Sequence, residues 1–203
     1  MNQLKIKICG MKYPENMLQA SALHPDYFGF IFYEKSSRFF DGIMPELPKQ
    51  ILKVGVFVDE NLINIQQKIT QYQLQLVQLH GNENPEFCAK LQSLPIKVIK
   101  TFAISNEFDF KILDEFETAC DYFLFDTKGE NPGGNGQSFD WDILKNYKST
   151  KPLFLSGGIG LNSIKAIQNL KIPVFALDLN SKFETKPGLK NISQLQTFKQ
   201  QLQ

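Results

Sequence analysis

Short apolar runs alternate along the chain with polar stretches whose apolar residues recur every three or four positions. The runs cover residues 4–8, 27–32, 52–58, 74–79, 96–101, 122–125, 152–155 and 173–177. Their length and mainly apolar character are those of parallel strands buried on both faces. The stretches between them read as helices. Segment 60–72 sets Leu62, Ile65, Ile69 and Tyr72 on one face, and segment 83–94 does the same with Phe87, Leu91 and Leu94. Segment 162–170 offers Ile164, Ile167 and Leu170 behind Asn162, a capping residue type. Segment 41–49 holds two prolines, which predicts a short or irregular helix there.

Eight strand-like runs in 203 residues leave about 25 residues per strand–helix unit, close to the minimum for such a repeat. Regular alternation implies parallel strands joined by right-handed crossovers. A doubly wound sheet satisfies this as well, but eight units favour closure into a (β/α)8 TIM barrel. Nothing reads as a linker, so residues 1–203 are expected to form one α/β barrel domain. The glycine-rich stretch 129–136 follows a strand directly and reads as a loop on the active face.

Composition narrows the function classes. Lys and Arg number 22 against 21 Asp and Glu, so there is no basic excess of the kind nucleic-acid or acidic-membrane partners require. Apolar stretches such as 28–33 are far shorter than a bilayer span, and the first residues alternate apolar groups with lysines instead of forming a leader. Three cysteines (Cys9, Cys88 and Cys120) make a poor disulfide framework, which points to the reducing cytoplasm. With two histidines and no CxxC or HxxxH pairing, the sequence offers no zinc pattern, and no metal is expected.

In such barrels the chemistry lies at the C-terminal ends of the strands. There the chain presents Cys9, Arg38 after two serines, Asp59, His80, Asp126, the run Ser156-Gly157-Gly158-Ile159-Gly160, and Asp178 with Asn180. The glycine run before a helix is a phosphate-site candidate, because glycine lets backbone N–H groups approach an anion; alone, it could merely turn the chain. Cys9 is open to two readings, a small buried apolar group or a working thiol whose ionisation needs help. Asp126 is a carboxylate at the tip of an apolar strand, either a cap or a reactive group. Arg38 could clamp a carboxylate or remain a solvated charge. His80 could be a polar residue packed against the next helix. Cys88 and Cys120 fall away from the active face and read as structural.

Taken together, these segments spell out a family. The chain resembles phosphoribosylanthranilate isomerase over essentially its whole length. The resemblance is carried by Lys7-Ile8-Cys9-Gly10, Gly29-Phe30-Ile31-Phe32, Ser36 to Phe39, Val54-Gly55-Val56-Phe57-Val58 and Val77-Gln78-Leu79-His80-Gly81. It continues through Phe125-Asp126-Thr127, Gly133-Gly134-Asn135-Gly136, Phe139-Asp140-Trp141 and Ser156-Gly157-Gly158. The resemblance implies a small (β/α)8 barrel and an Amadori rearrangement of N-(5-phosphoribosyl)anthranilate in tryptophan biosynthesis, with no cofactor. It implies Cys9 as general base, Asp126 as general acid and Arg38 facing the anthranilate. Gly157, Gly158, Asp178 and Asn180 fall where the family's phosphate-binding loops lie. It also implies a small-molecule substrate and no nucleic-acid or membrane partner; a monomer and a homodimer are both compatible with it. One departure stands out: the family usually reads Asp-Val-Ser-Ser-Gly-Val-Glu after strand 8, whereas this chain reads Asp178-Leu179-Asn180-Ser181-Lys182-Phe183-Glu184. Lys182 in place of glycine puts that loop's conformation in question and adds a cation.

Two rival readings fit less well. Other phosphate-sugar barrels depend on metal-ligating histidines at strand mouths, of which this sequence has too few, or on catalytic lysines in strands 2 and 3, where the one lysine, Lys53, stands at the start of its run. A non-catalytic, phosphate-ligand-binding barrel would be favoured by loss of Cys9 or Asp126, and both are present.

Overall fold

In the computed structural model, residues 4–127 and 141–202 are described. All eight apolar runs become strands: β1 (Lys5–Ile8), β2 (Tyr27–Ile31), β3 (Leu52–Phe57), β4 (Leu76–Leu79), β5 (Lys97–Ile104), β6 (Tyr122–Thr127), β7 (Leu153–Leu155) and β8 (Val174–Leu179). They pair in parallel in sequence order, and β1 closes the barrel on β8 through the register Lys7 opposite Asp178.

Successive side chains on a strand point to opposite faces, which sorts the core in two. Tyr27, Val54, Leu76, Ile99, Leu124, Phe154 and Ala176 fill the barrel interior near its N-terminal end. Phe154 is fully buried there, with the rings of Tyr27, Tyr122 and Phe175 at centroid distances of 5.4–5.5 Å. Two residues further along, the interior turns polar, with Lys7, Gln78, Thr101, Asp126 and Asp178, all buried. The outward-facing residues, including Phe28, Phe30, Val77, Val98, Phe123 and Phe125, pack under the helices in the larger cluster.

The outer layer departs from regular alternation. Helices α1 (Pro14–Ser21), α2 (Leu62–Tyr72), α3 (Pro85–Gln92), α4 (Ile164–Gln168) and α5 (Ile192–Leu202) cover part of the barrel. α2 and α3 begin at Asn61 and Asn84, whose side chains accept from the backbone N–H groups of Asn64 and Phe87. Segment 41–49 forms no helix; Phe40 folds in instead, against Phe30, Phe32 and Tyr72. Between β5 and β6 the chain makes only a tight 3₁₀ segment, Phe110–Phe116. The helix expected over 162–170 is also shorter, a 3₁₀ turn at Leu161–Ser163 followed by the five-residue α4. After β8, a turn at Ser181–Phe183 leads to a hairpin of β9 (Glu184–Lys186) and β10 (Leu189–Lys190). Asn16 of α1 fastens that hairpin by bonding both the N–H and the carbonyl of Lys190.

Phe154→Ala should remove the centre of the interior aromatic cluster and leave a cavity that strand backbones cannot close. A loss of about 3–5 kcal/mol is expected, read from the midpoint of denaturant unfolding at unchanged slope.

Candidate active site

The interior alternation carries the polar residues upward to the C-terminal mouth. Lys7 of β1 is wholly buried, and its Nζ donates to Gln78 Oε1 at 2.7 Å and to Asp178 Oδ2 at 2.8 Å. Two residues on, Cys9 faces the same interior, its N–H bonded to the Leu179 carbonyl at 2.9 Å, and feels the Lys7 charge. A Cβ on Gly29 would come within 2.7 Å of the Cys9 sulfur, so glycine there is what gives the thiol its space. Burial pushes the Cys9 thiol above its ordinary pKa; Lys7 and Lys190 oppose that rise, and Asp178 adds to it.

Asp126, near the end of β6, is also buried, and desolvation raises its carboxyl above the usual range. Its Oδ1 accepts the Thr127 N–H at 2.9 Å, and Thr127, Ser156 and Lys7 oppose the rise. His80 Nε2 lies 3.5 Å from Asp126 Oδ2, while Gln78 Nε2 lies 3.2 Å from His80 Nδ1. The Gln78 amide is a donor, so Nδ1 accepts and the imidazole proton sits on Nε2, facing Asp126. Burial, with Lys7 and Lys100 adding to it, pulls His80 down to about 4, which keeps the ring neutral. His80 is thus a member of the site and not only a packed polar residue. Its loop is braced by buried Glu83, which accepts from Lys100 Nζ at 2.8 Å and from the Asp59 N–H at 2.9 Å.

Arg38 sits after the Ser36 turn with its guanidinium already engaged. Nε and Nη2 donate to Glu184 at 2.7–3.1 Å. Glu184 also accepts from Lys190 Nζ at 2.7 Å, and the same ammonium donates to Asn180 Oδ1 at 2.8 Å. Arg38 and Lys190 together hold the Glu184 carboxyl below the usual range against the pull of its burial.

The glycine run after β7 has the expected left-handed backbone, with φ of +93° at Gly157 and +68° at Gly158. At Gly157 a side chain would also strike Thr127. Lys182 lies against this run: a Cβ on Gly160 would sit 3.4 Å from the Lys182 Cβ. The loops after β7 and β8 are therefore neighbours. Lys182 takes an ordinary negative φ, so the sequence departure is absorbed by the tight Ser181–Phe183 turn, which buries Phe183. The expected helix dipole contributes little at this point, because α4 is only five residues long. Asp178 is the residue that leaves its expected company. Its side chain lies inside the barrel on Lys7, away from the phosphate loops, and a carboxylate would repel a phosphate. The stretch 129–136, with Gly133, Gly134, Asn135 and Gly136, lies outside the described residues.

Lys7, Gln78, Glu184 and Lys190 carry no role in the sequence reading. For the first two the signal was a polar residue inside an apolar strand run; the Arg38–Glu184 pairing spans 146 positions and leaves no local trace. Cys88 and Cys120 are buried outside the site, with thiols pushed up to about 11 and about 12.

A neutral buried His80 stabilises the fold fully above its unfolded pKa of 6.5 and loses that contribution as pH falls through about 4. His80→Gln removes the titration but not the side chain's volume. The fall in Tm between about pH 7 and pH 4.5 should be smaller in the variant than in the wild type, as scanning calorimetry at both pH values would register.

Residues 6–201 match the family model described as N-(5'phosphoribosyl)anthranilate (PRA) isomerase. The N-(5'-phosphoribosyl)anthranilate isomerase of Parabacteroides distasonis is 45% identical, over 97% of this chain and 92% of that protein. Among solved structures, the phosphoribosyl anthranilate isomerase of Thermus thermophilus superposes with a TM-score of 0.86 at 27% identity, covering 98% of each chain. A phosphoribosyl anthranilate isomerase in complex with reduced 1-(o-carboxyphenylamino)-1-deoxyribulose 5-phosphate superposes with a TM-score of 0.81 at 31% identity, again over 98% of each chain.

Proposed function

The chain belongs to the N-(5'-phosphoribosyl)anthranilate isomerase family, and from that membership we propose which of its residues perform each step of the reaction. It is an aldose–ketose isomerase of tryptophan biosynthesis, converting N-(5-phosphoribosyl)anthranilate into 1-(2-carboxyphenylamino)-1-deoxyribulose 5-phosphate.

Asp126 is the general acid. It protonates the ribose ring oxygen, the C1–O bond breaks, and the glycosylamine opens to an iminium. Cys9 is the general base. It takes the proton from C2, and the electron pair of the C2–H bond moves to the iminium to give an enolamine, which tautomerises to the ketone. The observation that carries this reading is a buried thiol and a buried carboxyl in one polar barrel interior, both coupled to Lys7. The raised pKa of Asp126 supports it, because an acid must still hold its proton near neutral pH. The neutral His80 Nε2–H beside Asp126 supplies a donor that can steady the carboxylate once the proton has gone.

Arg38 takes the anthranilate carboxylate on the guanidinium edge that Glu184 leaves open. The phosphate is held by backbone N–H groups of the Gly157 and Gly158 run and of the Asn180 turn, with Lys182 beside them. Asp178 is assigned to Lys7 and not to the phosphate. Every residue in this scheme comes from one chain, so each subunit is complete whether alone or paired. Among the described residues no helix is long and apolar enough to cross a membrane. Three free, buried thiols support a reducing compartment such as the cytoplasm.

Activity is followed as loss of fluorescence from freshly generated substrate. Cys9→Ala should lower kcat at least ~100-fold with the melting curve near wild type, and Asp126→Asn should lower kcat without abolishing product-analogue binding. Early melting with full turnover in Cys9→Ala would make Cys9 a packing residue. Arg38→Met should act through KM, raising it about 10- to 150-fold at little cost to kcat, the loss of roughly 1.5–3 kcal/mol from a charge-assisted bond.

A further inference from the structure

Lys7 is a wholly buried ammonium in the middle of the interior, yet neither step of the reaction uses it. Burying an ammonium costs several kcal/mol even when it is paired, and an apolar side chain of similar length would fill the same space without that cost. The surroundings are built for a charge. Of the three N–H groups on Nζ, one goes to Gln78 Oε1 at 2.7 Å and one to Asp178 Oδ2 at 2.8 Å. These bonds fix the ammonium between β4 and β8 and leave one N–H uncommitted among the described residues; Cys9, whose N–H extends the β1–β8 ladder to the Leu179 carbonyl, stands two residues along on the same inward face.

We propose that Lys7 is a positioning residue for the base: held rigidly by Gln78 and Asp178, its ammonium donates to the Cys9 sulfur and stabilises it as a thiolate. This rests on the reading of Cys9 as general base. As the thiolate takes the C2 proton, an S–H bond forms, the C2–H bond breaks, and the electron pair neutralises the iminium. Lys7 keeps all its protons and falls back on Asp178, so its own charge stays paired throughout.

The charged groups around Cys9 act with different signs. Lys7 on its own strand and Lys190 on β10 favour the thiolate; Asp178 on β8 and burial oppose it. Asp178 is therefore more than an anchor. It offsets part of the Lys7 field, so the sulfur is not stabilised so far that it stops being a base. One Asp178 oxygen, Oδ1, is buried with no hydrogen-bond partner among the described residues; burial pushes the Asp178 carboxyl above the usual range, and Lys7 opposes that rise. Beyond Lys7 lie His80, which is neutral, and Asp126, which faces the same ammonium.

The test reads the sulfur directly. Thiolate absorbance in the ultraviolet is titrated against pH for the wild type and each variant, and the matching Cys9→Ala spectrum is subtracted to remove Cys88, Cys120 and the tyrosines. Lys7→Met should move the Cys9 midpoint up by at least about one pH unit, a tenfold loss of thiolate at fixed pH. Asp178→Asn should move it down. The rising limb of kcat/KM against pH should shift with the midpoint in each case. If Lys7→Met does not fold, the double variant Lys7→Met/Asp178→Asn removes both charges and should still show a raised midpoint. A midpoint unmoved by loss of Lys7, or moved the same way by both single variants, overturns the proposal. Because the titration is done without substrate, it is independent of turnover: full activity in Cys9→Ala would instead remove the general-base reading, whatever the midpoints show.

Discussion

A charged pair in the middle of the barrel, Lys7 with Asp178, is the constraint around which the interior is arranged. Below it the interior is filled by Tyr27, Leu124, Phe154 and their neighbours. Above it stand Cys9, His80 and Asp126. The pair survives burial because each ion has a partner at 2.8 Å and Gln78 takes a further proton of the ammonium. The two charges then act on the groups above with opposite signs: Lys7 opposes the rise of the Cys9 and Asp126 pKa values and helps keep His80 neutral, while Asp178 pushes Cys9 and His80 the other way. The same barrel thus holds a thiol, a carboxyl and an imidazole in different protonation states within one small space.

A second line of charge runs along the rim. Arg38, Glu184, Lys190 and Asn180 form a continuous chain of hydrogen bonds from the loop after β2 to the turn after β8. The planar fork of Arg38 is therefore held in orientation by a carboxylate of the protein itself. In the proposed scheme, the anthranilate end and the phosphate end would be joined through these side chains and not only through the substrate.

The barrel was legible because its strands are buried on both faces, which leaves short, mainly apolar runs broken only by single lysines, glutamines and glycines. The outer layer was less so. Prolines signalled that 41–49 would be irregular, but not that the ring of Phe40 would fill the place of a helix. The apolar spacing of Ile164, Ile167 and Leu170 suggested a full helix, yet the tight turn at Leu161–Ser163 uses up its first residues. Cys9, Asp126 and Arg38 stood out by their position at strand ends. Glu184 and the tasks of Lys7 and Asp178 did not, since hydrogen bonds between residues 146 and 171 positions apart exist only once the sheet has closed.

That closure has a consequence for the chain during its synthesis. The seam between β1 and β8, and the clasp between Asn16 and Lys190, join the two extremities of the sequence. A growing polypeptide leaves the ribosome with β1 carrying an unpaired lysine and an open hydrogen-bonding edge until β8 has been made. The ring therefore cannot be completed strand by strand as it emerges; its closure waits for β8. Until then the nascent barrel is an open, curved sheet, the state most exposed to pairing with a neighbouring chain.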